Sequence, residues 1–273
     1  MLIIGEKING TLKKTAAAVA DRDAVYIQNL AQRQVEAGAN YLDLNAGTAS
    51  GREPEDLIWL IDTVQSVVDV PLCLDSANPA ALRAGFQRVK QTPFVNSISA
   101  EANRLDSILP LVAERGCPVI ALLLGESGIP ASVEGRLSNG SRIIDRTRQA
   151  GVRDQDIYID PLVMALSTKT DSCVIALETM QALRLEYPDV RFSIGLSNVS
   201  FGLPLRSLIN QAFLAQALAV GLDAAIIDPL DQGLTNMLLA TELVLGRDRF
   251  CRNYTRAFRA GKIWVDGKAL KEF

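Results

Sequence analysis

The chain of 273 residues contains no histidine. Imidazole is the usual general base near neutral pH and the commonest metal ligand, so this absence removes Ser-His-Asp triads, Cys-His dyads and histidine-bearing zinc sites. Cysteine is scarce: Cys73, Cys117, Cys173 and Cys251 lie far apart and form no CxxC pair of the kind that holds zinc or an iron–sulfur cluster. They are expected to be reduced and mostly buried. The first residues, MLIIGEK, are too short an apolar run for a signal peptide, and the longest run, around Val119–Leu124, is too short to span a bilayer. A cytoplasmic protein with no membrane partner is expected. The formal net charge of −3 offers no bulk attraction to nucleic acid or anionic lipid. With 48% hydrophobic and 22% charged residues, the composition is that of an ordinary globular protein.

What is present is a repeating alternation. Short β-rich runs at Leu2–Ile8, Tyr41–Leu44, Leu72–Asp75, Phe94–Ile98, Val119–Leu124, Ile157–Asp160, Phe192–Leu196 and Ala224–Asp228 are separated by segments of helical periodicity. Leu57, Leu60, Ile61, Val64 and Val68 share one helix face, as do Leu105, Ile108, Leu109 and Val112, and then Leu205, Leu208, Ile209 and Ala212. Asn78-Pro79 marks a helix start, and the glycines of EAGAN, ERGCP, AVGLD and VLGRD mark stops. Strand-helix-strand order demands parallel crossovers, and nearly all-apolar strands suit burial on both faces. Eight units predict a single (β/α)8 TIM barrel spanning 1–273, with 247–273 as a C-terminal helix and tail. An open doubly wound sheet is the alternative, but neither G-x-G-x-x-G nor a phosphate loop follows a predicted strand. The stretches Thr11–Asp21 and Gly125–Asn139 are read as long loops bordering the barrel mouth.

Catalytic residues of such a barrel lie at the carboxyl ends of its strands. Here Glu6 and Asn9, Asp43 and Asn45, Asp75 and Ser76, Asn96 and Ser97, Asp160, Asn198 and Asp228 end all of the predicted strands except the fifth. Each alone is an ordinary turn former or cap. Together they make a rim of acceptors with few cations, poor for phosphate but suited to a flat heterocycle rich in N–H donors, such as a pterin or guanine-like ring. Two other chemistries compete: a Schiff-base aldolase using Lys7 or Lys169, and a divalent metal held by Asp43, Asp75 and Asp160.

The blocks GEKING at 5–10, DLNAG at 43–47, CLDS at 73–76, VNSIS at 95–99, YIDPL at 158–162, GLSNVS at 195–200 and NQAFLAQALAVGLDAAIIDP at 210–229 resemble the methyltetrahydrofolate:corrinoid protein methyltransferases. The resemblance implies a pterin-binding TIM barrel, commonly a homodimer. Its substrate would be tetrahydrofolate or methyltetrahydrofolate, and its partner a separate protein carrying the corrinoid, with no tightly bound metal of its own. The methyl group would pass between N5 of the folate and the cobalt, including in the direction from methylated corrinoid protein to tetrahydrofolate. By the same resemblance, Asp75, Asn96 and Asp160 would hydrogen-bond the pyrimidine edge, Asn198 would lie close to N5, and Glu6, Asp43, Asn45 and Ser97 would form the surrounding polar network. Asn198 and Asp160 are the candidate catalytic pair. Phe201 stands where some relatives carry a polar Gln. Arg206 is read as an exposed helix-face residue or a contact for the folate tail. A non-catalytic folate-binding module and a dihydropteroate synthase-like condensing enzyme are the alternatives, the second requiring a diphosphate-binding cationic cluster at the strand ends.

Overall fold

The computed structural model describes residues 1–264. Eight parallel strands close into a barrel in chain order: β1 (Leu2–Asn9), β2 (Tyr41–Asn45), β3 (Leu72–Asp75), β4 (Phe94–Ser99), β5 (Val119–Leu122), β6 (Ile157–Asp160), β7 (Arg191–Gly195) and β8 (Ala224–Ile227). The expected barrel is therefore observed, and the open sheet is excluded by pairing of β1 with β8. Around it lie α1 (Lys13–Asp21), α2 (Ala24–Glu36), α3 (Glu53–Gln65), α4 (Pro79–Phe86), α5 (Ala102–Arg115), α6 (Val133–Gln149), α7 (Ser172–Glu186), α8 (Arg206–Ala219), α9 (Gln232–Val244) and α10 (Arg252–Arg259). The predicted C-terminal helix is α10; residues 265–273 of the predicted tail lie outside the described residues.

The main core lies between sheet and helices, where Leu57, Leu60, Ile61 and Val64 of α3 and Leu105, Ile108 and Val112 of α5 are buried as their spacing predicts. A second cluster fills the barrel interior: Ile4, Cys73, Phe94, Ile120, Tyr158 and Ala224. Edge-to-face stacking of Phe94 on Tyr41 and on Tyr158, with centroids 5.2 and 4.7 Å apart, packs this layer. The interior is thus plugged, and the open space lies at the strands' carboxyl ends.

Three expectations are corrected. The stretch Thr11–Asp21 is mostly helix, because its Ala-rich KKTAAAVA run has high intrinsic propensity although no side chain caps it. Gly125–Asn139 contains the first two turns of α6, started by Ser132, whose hydroxyl accepts from Gly135 N; its buried stripe of Arg136, Gly140, Ile143, Ile144 and Thr147 is too polar to read as a core face. In α8 the packed face is Asn210, Phe213, Leu214, Ala217 and Leu218, while Leu205 and Leu208 are exposed. That helix carries two apolar stripes, and periodicity alone does not say which one meets the sheet. The four cysteines are free, with Cys73 and Cys117 buried, Cys173 half-buried and Cys251 exposed.

Two local devices shape the start of the barrel. The β1–β2 register shifts between Gly5 and Ile8, and the Lys7 N–H is taken by Oε1 of the fully buried Gln34 at 3.0 Å. Regular alternation sends consecutive side chains to opposite faces; with this irregularity both Glu6 and Lys7 line the mouth. Gly10 and Gly47 then cross backbone against backbone: a Cβ on Gly10 would stand 2.1 Å from the Ala46 carbonyl oxygen, and Gly47 has φ +65°. Gln34→Leu should destabilise the fold by about 1–3 kcal/mol, the cost of an unpaired buried N–H, measurable as a lower urea midpoint with an unchanged slope.

Candidate active site

The strand ends enclose a mouth cavity of about 560 Å³. Glu6, Asp43, Asp75, Asn96 and Asn198 line it, so the structure brings these five predicted residues together. Asn45, Ser97 and Asp160 are not on its wall. Asn45 acts through a neighbour, donating Nδ2 to Asp75 Oδ2 at 2.9 Å. Ser97 is buried and its carbonyl accepts from Arg104 Nη1 at 3.2 Å. Asp160, also buried, accepts from Leu162 N at 2.7 Å and Gly195 N at 3.3 Å, the ordinary turn role for an Asp-Pro step.

The electrostatics follow from crowding carboxylates into a poorly solvated space. Burial pushes Asp75 up to about 6, partly offset by the Asn45 hydrogen bond and the charge of Arg104. Burial also raises Asp160 to about 6 against its two backbone hydrogen bonds and the Arg136 charge. Asp43 is raised further by burial and by the nearby Asp75, although Asn96 Nδ2 donates to it at 3.2 Å. Glu6 is raised by burial and held by the Ser197 hydroxyl at 2.8 and 3.0 Å.

Several wall contacts, and Asn210 itself, escape sequence reading because they form only when the barrel closes. Lys7 forms an ion pair with Asp228 at 2.9 Å across the β1–β8 seam. Asn210, from the buried face of α8, carries a side-chain oxygen with no partner among the described residues. Arg206 is exposed as expected, yet its guanidinium donates to the Ser197 carbonyl at 2.7 Å and Ser200 Oγ at 3.0 Å, lying 6.0 Å from the Phe201 ring. It holds the short helical turn Leu196–Ser200 that presents Asn198. Asn198 is exposed, with its amide nitrogen 3.2 Å from where a Gly195 Cβ would stand, so the glycine leaves it room. Phe201, 68% exposed, sits on the lip.

Both lysines considered for a Schiff base are engaged elsewhere. Lys7 is committed to Asp228, and Lys169 donates to the Ala131 carbonyl at 2.9 Å, away from any strand end. No group of three or more acidic or thiol side chains stands in metal-holding geometry among the described residues. The carboxylates and amides of the wall make an acceptor-rich cavity on a (β/α)8 scaffold, suited to a planar, donor-rich nitrogen heterocycle.

A family model described as "Pterin binding enzyme" matches residues 5–228, and the chain belongs to that family. Among curated proteins it is 41% identical over 265 residues to the methylcorrinoid:tetrahydrofolate methyltransferase of Eubacterium limosum, covering 96% of this chain and 98% of that protein. It is 31% identical over 240 residues to the methionine synthase of Mycobacterium tuberculosis, covering 83% of this chain and 20% of that much longer protein. A solved dihydropteroate synthase from Xanthomonas albilineans in complex with 7,8-dihydropteroate shares the fold, with TM-score 0.65 at 21% identity over 90% of this chain and 92% of that one.

Burial holds Asp75 protonated up to about pH 6 in the folded state, whereas the ordinary carboxyl loses its proton near 3.8. Ionisation therefore costs stability as pH rises through that interval, and the loss is complete above it. Asp75→Asn should raise Tm by a few degrees at pH 8 relative to the parent, with the gain vanishing below pH 4, in calorimetric scans of the ligand-free protein.

Proposed function

We propose that the protein exchanges a methyl group between N5 of tetrahydrofolate and the cobalt of a corrinoid carried by a separate protein. The observation that carries this reading is the cavity that joins Asp43, Asp75 and Asn96 to the uncommitted amide of Asn198, in a chain matching a methylcorrinoid:tetrahydrofolate methyltransferase along nearly its whole length. Asp75 and Asn96 read the pyrimidine edge of the pterin. An ionised carboxylate accepts two parallel N–H bonds from the 2-amino and ring N–H groups, while an amide serves one donor and one acceptor. Asp43 and Glu6 support them, Asn45 orients Asp75, and Ser97 keeps the end of β4 in place through its carbonyl. Asp160 lies off the cavity wall but two residues beyond Tyr158 on the inward face of β6, keeps acceptor capacity after its two backbone bonds, and is assigned as a further contact.

The chemistry then rests on Asn198. A tertiary N5-methyl amine is a poor leaving group, so transfer requires N5 to take up a proton or a strong hydrogen bond by the transition state, and the departing nitrogen then keeps the pair of the broken C–N bond. The Asn198 amide donates to N5 at that point, and the turn fixed by Arg206, Ser197 and Ser200 holds the donor in place before reaction. An amide releases no proton of its own, so the proton comes from water, with Asp160 near its buffering range as relay. The partner's cobalt supplies the methyl acceptor or donor. In the opposite direction the N5–H of tetrahydrofolate donates to the Asn198 side-chain oxygen, which leaves the N5 lone pair facing the incoming methyl group, and the N5 proton departs by the same water route. The corrinoid protein docks over the open mouth, and a homodimer matches the family's usual assembly.

Asn198→Ala should slow methyl transfer by roughly 100-fold, the usual cost of one preorganised donor, while changing methyltetrahydrofolate affinity by only a few-fold. Anaerobic mixing with cob(I)alamin, read by the loss of its absorbance, and calorimetric titration measure the two quantities. Equal losses in both would reject the assigned role. Asp75→Ala should instead weaken folate binding by about 100-fold. Affinity of the parent should fall as pH drops below about 6, where Asp75 takes up its proton.

A further inference from the structure

A second cavity of about 560 Å³ adjoins the mouth and shares Lys7, Leu12 and Asp228 with it. Its wall has the opposite electrostatic character. Lys7, Lys13, Lys14 and Arg33 face it, and Asp228, its one anionic lining residue, is already neutralised by Lys7. Lys13, Lys14 and Arg33 have no ion-pair partner among the described residues, in a chain whose net charge is −3.

The cavity is a track rather than a point. Tyr26, Asn29, Leu30 and Arg33 lie along one face of α2 and extend it on the order of 10 Å down the helix at 1.5 Å per residue. Its upper wall is α1, a helix additional to the one that each barrel strand needs. The turn ending α1 is anchored: Arg22 Nη2 pairs with the fully buried Asp56 of α3 at 2.6 Å, and its guanidinium lies 5.0 Å from the Trp59 ring centroid. Leu12, 43% exposed, is the apolar lip common to both cavities. Arg206, the other cation of the mouth, is committed to the Ser197 carbonyl and Ser200.

We infer that this cleft binds the anionic tail of the folate and selects forms bearing several γ-linked glutamates. The inference rests on the folate reading above. A pterin seated among Asp43, Asp75 and Asn96 leaves its p-aminobenzoyl-glutamate arm to exit over the lip. Each added γ-linked residue contributes one free α-carboxylate on a flexible chain, the form of charge that a linear row of unpaired cations neutralises. A compact single anion would use only one part of the track. Partly exposed pairs are individually weak, so selectivity comes from engaging several at once after the pterin is anchored.

The test is anaerobic calorimetric titration of tetrahydrofolate monoglutamate and triglutamate into the parent protein and into a Lys13→Gln/Lys14→Gln/Arg33→Gln variant. The triglutamate should bind the parent about tenfold tighter, a gain that shrinks when ionic strength is raised from about 0.05 to 0.3 M. In the variant the ratio of the two affinities should approach one, with monoglutamate affinity unchanged within about twofold. A ratio near one in the parent, or a gain that survives the triple substitution or high salt, overturns the tail site and leaves the pterin site standing. Absence of monoglutamate binding to the parent overturns the folate reading and this inference together. The ratio and its salt dependence in the parent decide the question even if the variant does not fold.

Discussion

Asp43 and Asp75 stand buried at the mouth of a parallel barrel, where burial raises both and the charge of one raises the other. A barrel whose strands all point the same way brings every strand's carboxyl end to one rim, so whatever those ends carry is forced together. Carboxylates placed there lose hydration without gaining a buried cation, a costly arrangement for folding alone. A ligand offering several N–H donors repays that cost in one step. Binding and the strain on the ligand-free protein are thus two aspects of the same interaction.

The rest of the site serves to hold this cluster in register. Asn45 donates to Asp75 and Asn96 donates to Asp43, so each of these amides occupies one acceptor site of a buried carboxylate. Gln34 satisfies the N–H group at the β1 irregularity, allowing Glu6 and Lys7 both to reach the rim. Closing β1 on β8 brings Ser197 to Glu6 and Asp228 to Lys7. Arg206 ties down the turn carrying the exposed amide of Asn198. An uncommitted amide at Asn198 on a turn held by its neighbours is the division expected in a preorganised site.

Charge is also partitioned in space. The heterocycle cavity is lined by carboxylates and amides, whereas the adjoining cleft along α1 and α2 is cationic, with the Lys7–Asp228 pair at their boundary. A folate has the same polarity along its length, a donor-rich ring at one end and carboxylates at the other. Leu205 and Leu208, exposed on α8 near the start of that helix, add apolar surface outside the mouth.

The sequence by itself determined the eight-strand order and the acceptor-rich rim. Apolar runs ended by Asp43, Asp75, Asn96 and Asp160 are local patterns, and Gly116 at φ +64° ends α5 as its ERGCP context predicts. The motif resemblance also carried the family, because those motifs are the strand ends themselves. Which rim residues face the cavity was decided by the tertiary structure. Asn45 and Asp160 stand two residues beyond Asp43 and Tyr158, on the same inward strand face yet off the cavity wall, so alternation read from the sequence does not say which rim residues a cavity reaches, and the β1 irregularity that puts both Glu6 and Lys7 on the wall is invisible in so short a run. The packed face of α8 and the helices α1 and α6 were hidden for the related reason that local periodicity and propensity do not identify the surface a helix meets. The cationic cleft joins Lys7, Lys13, Lys14 and Arg33 from β1, α1 and α2, which only the packing of α1 and α2 beside the β1–β8 seam brings to one track.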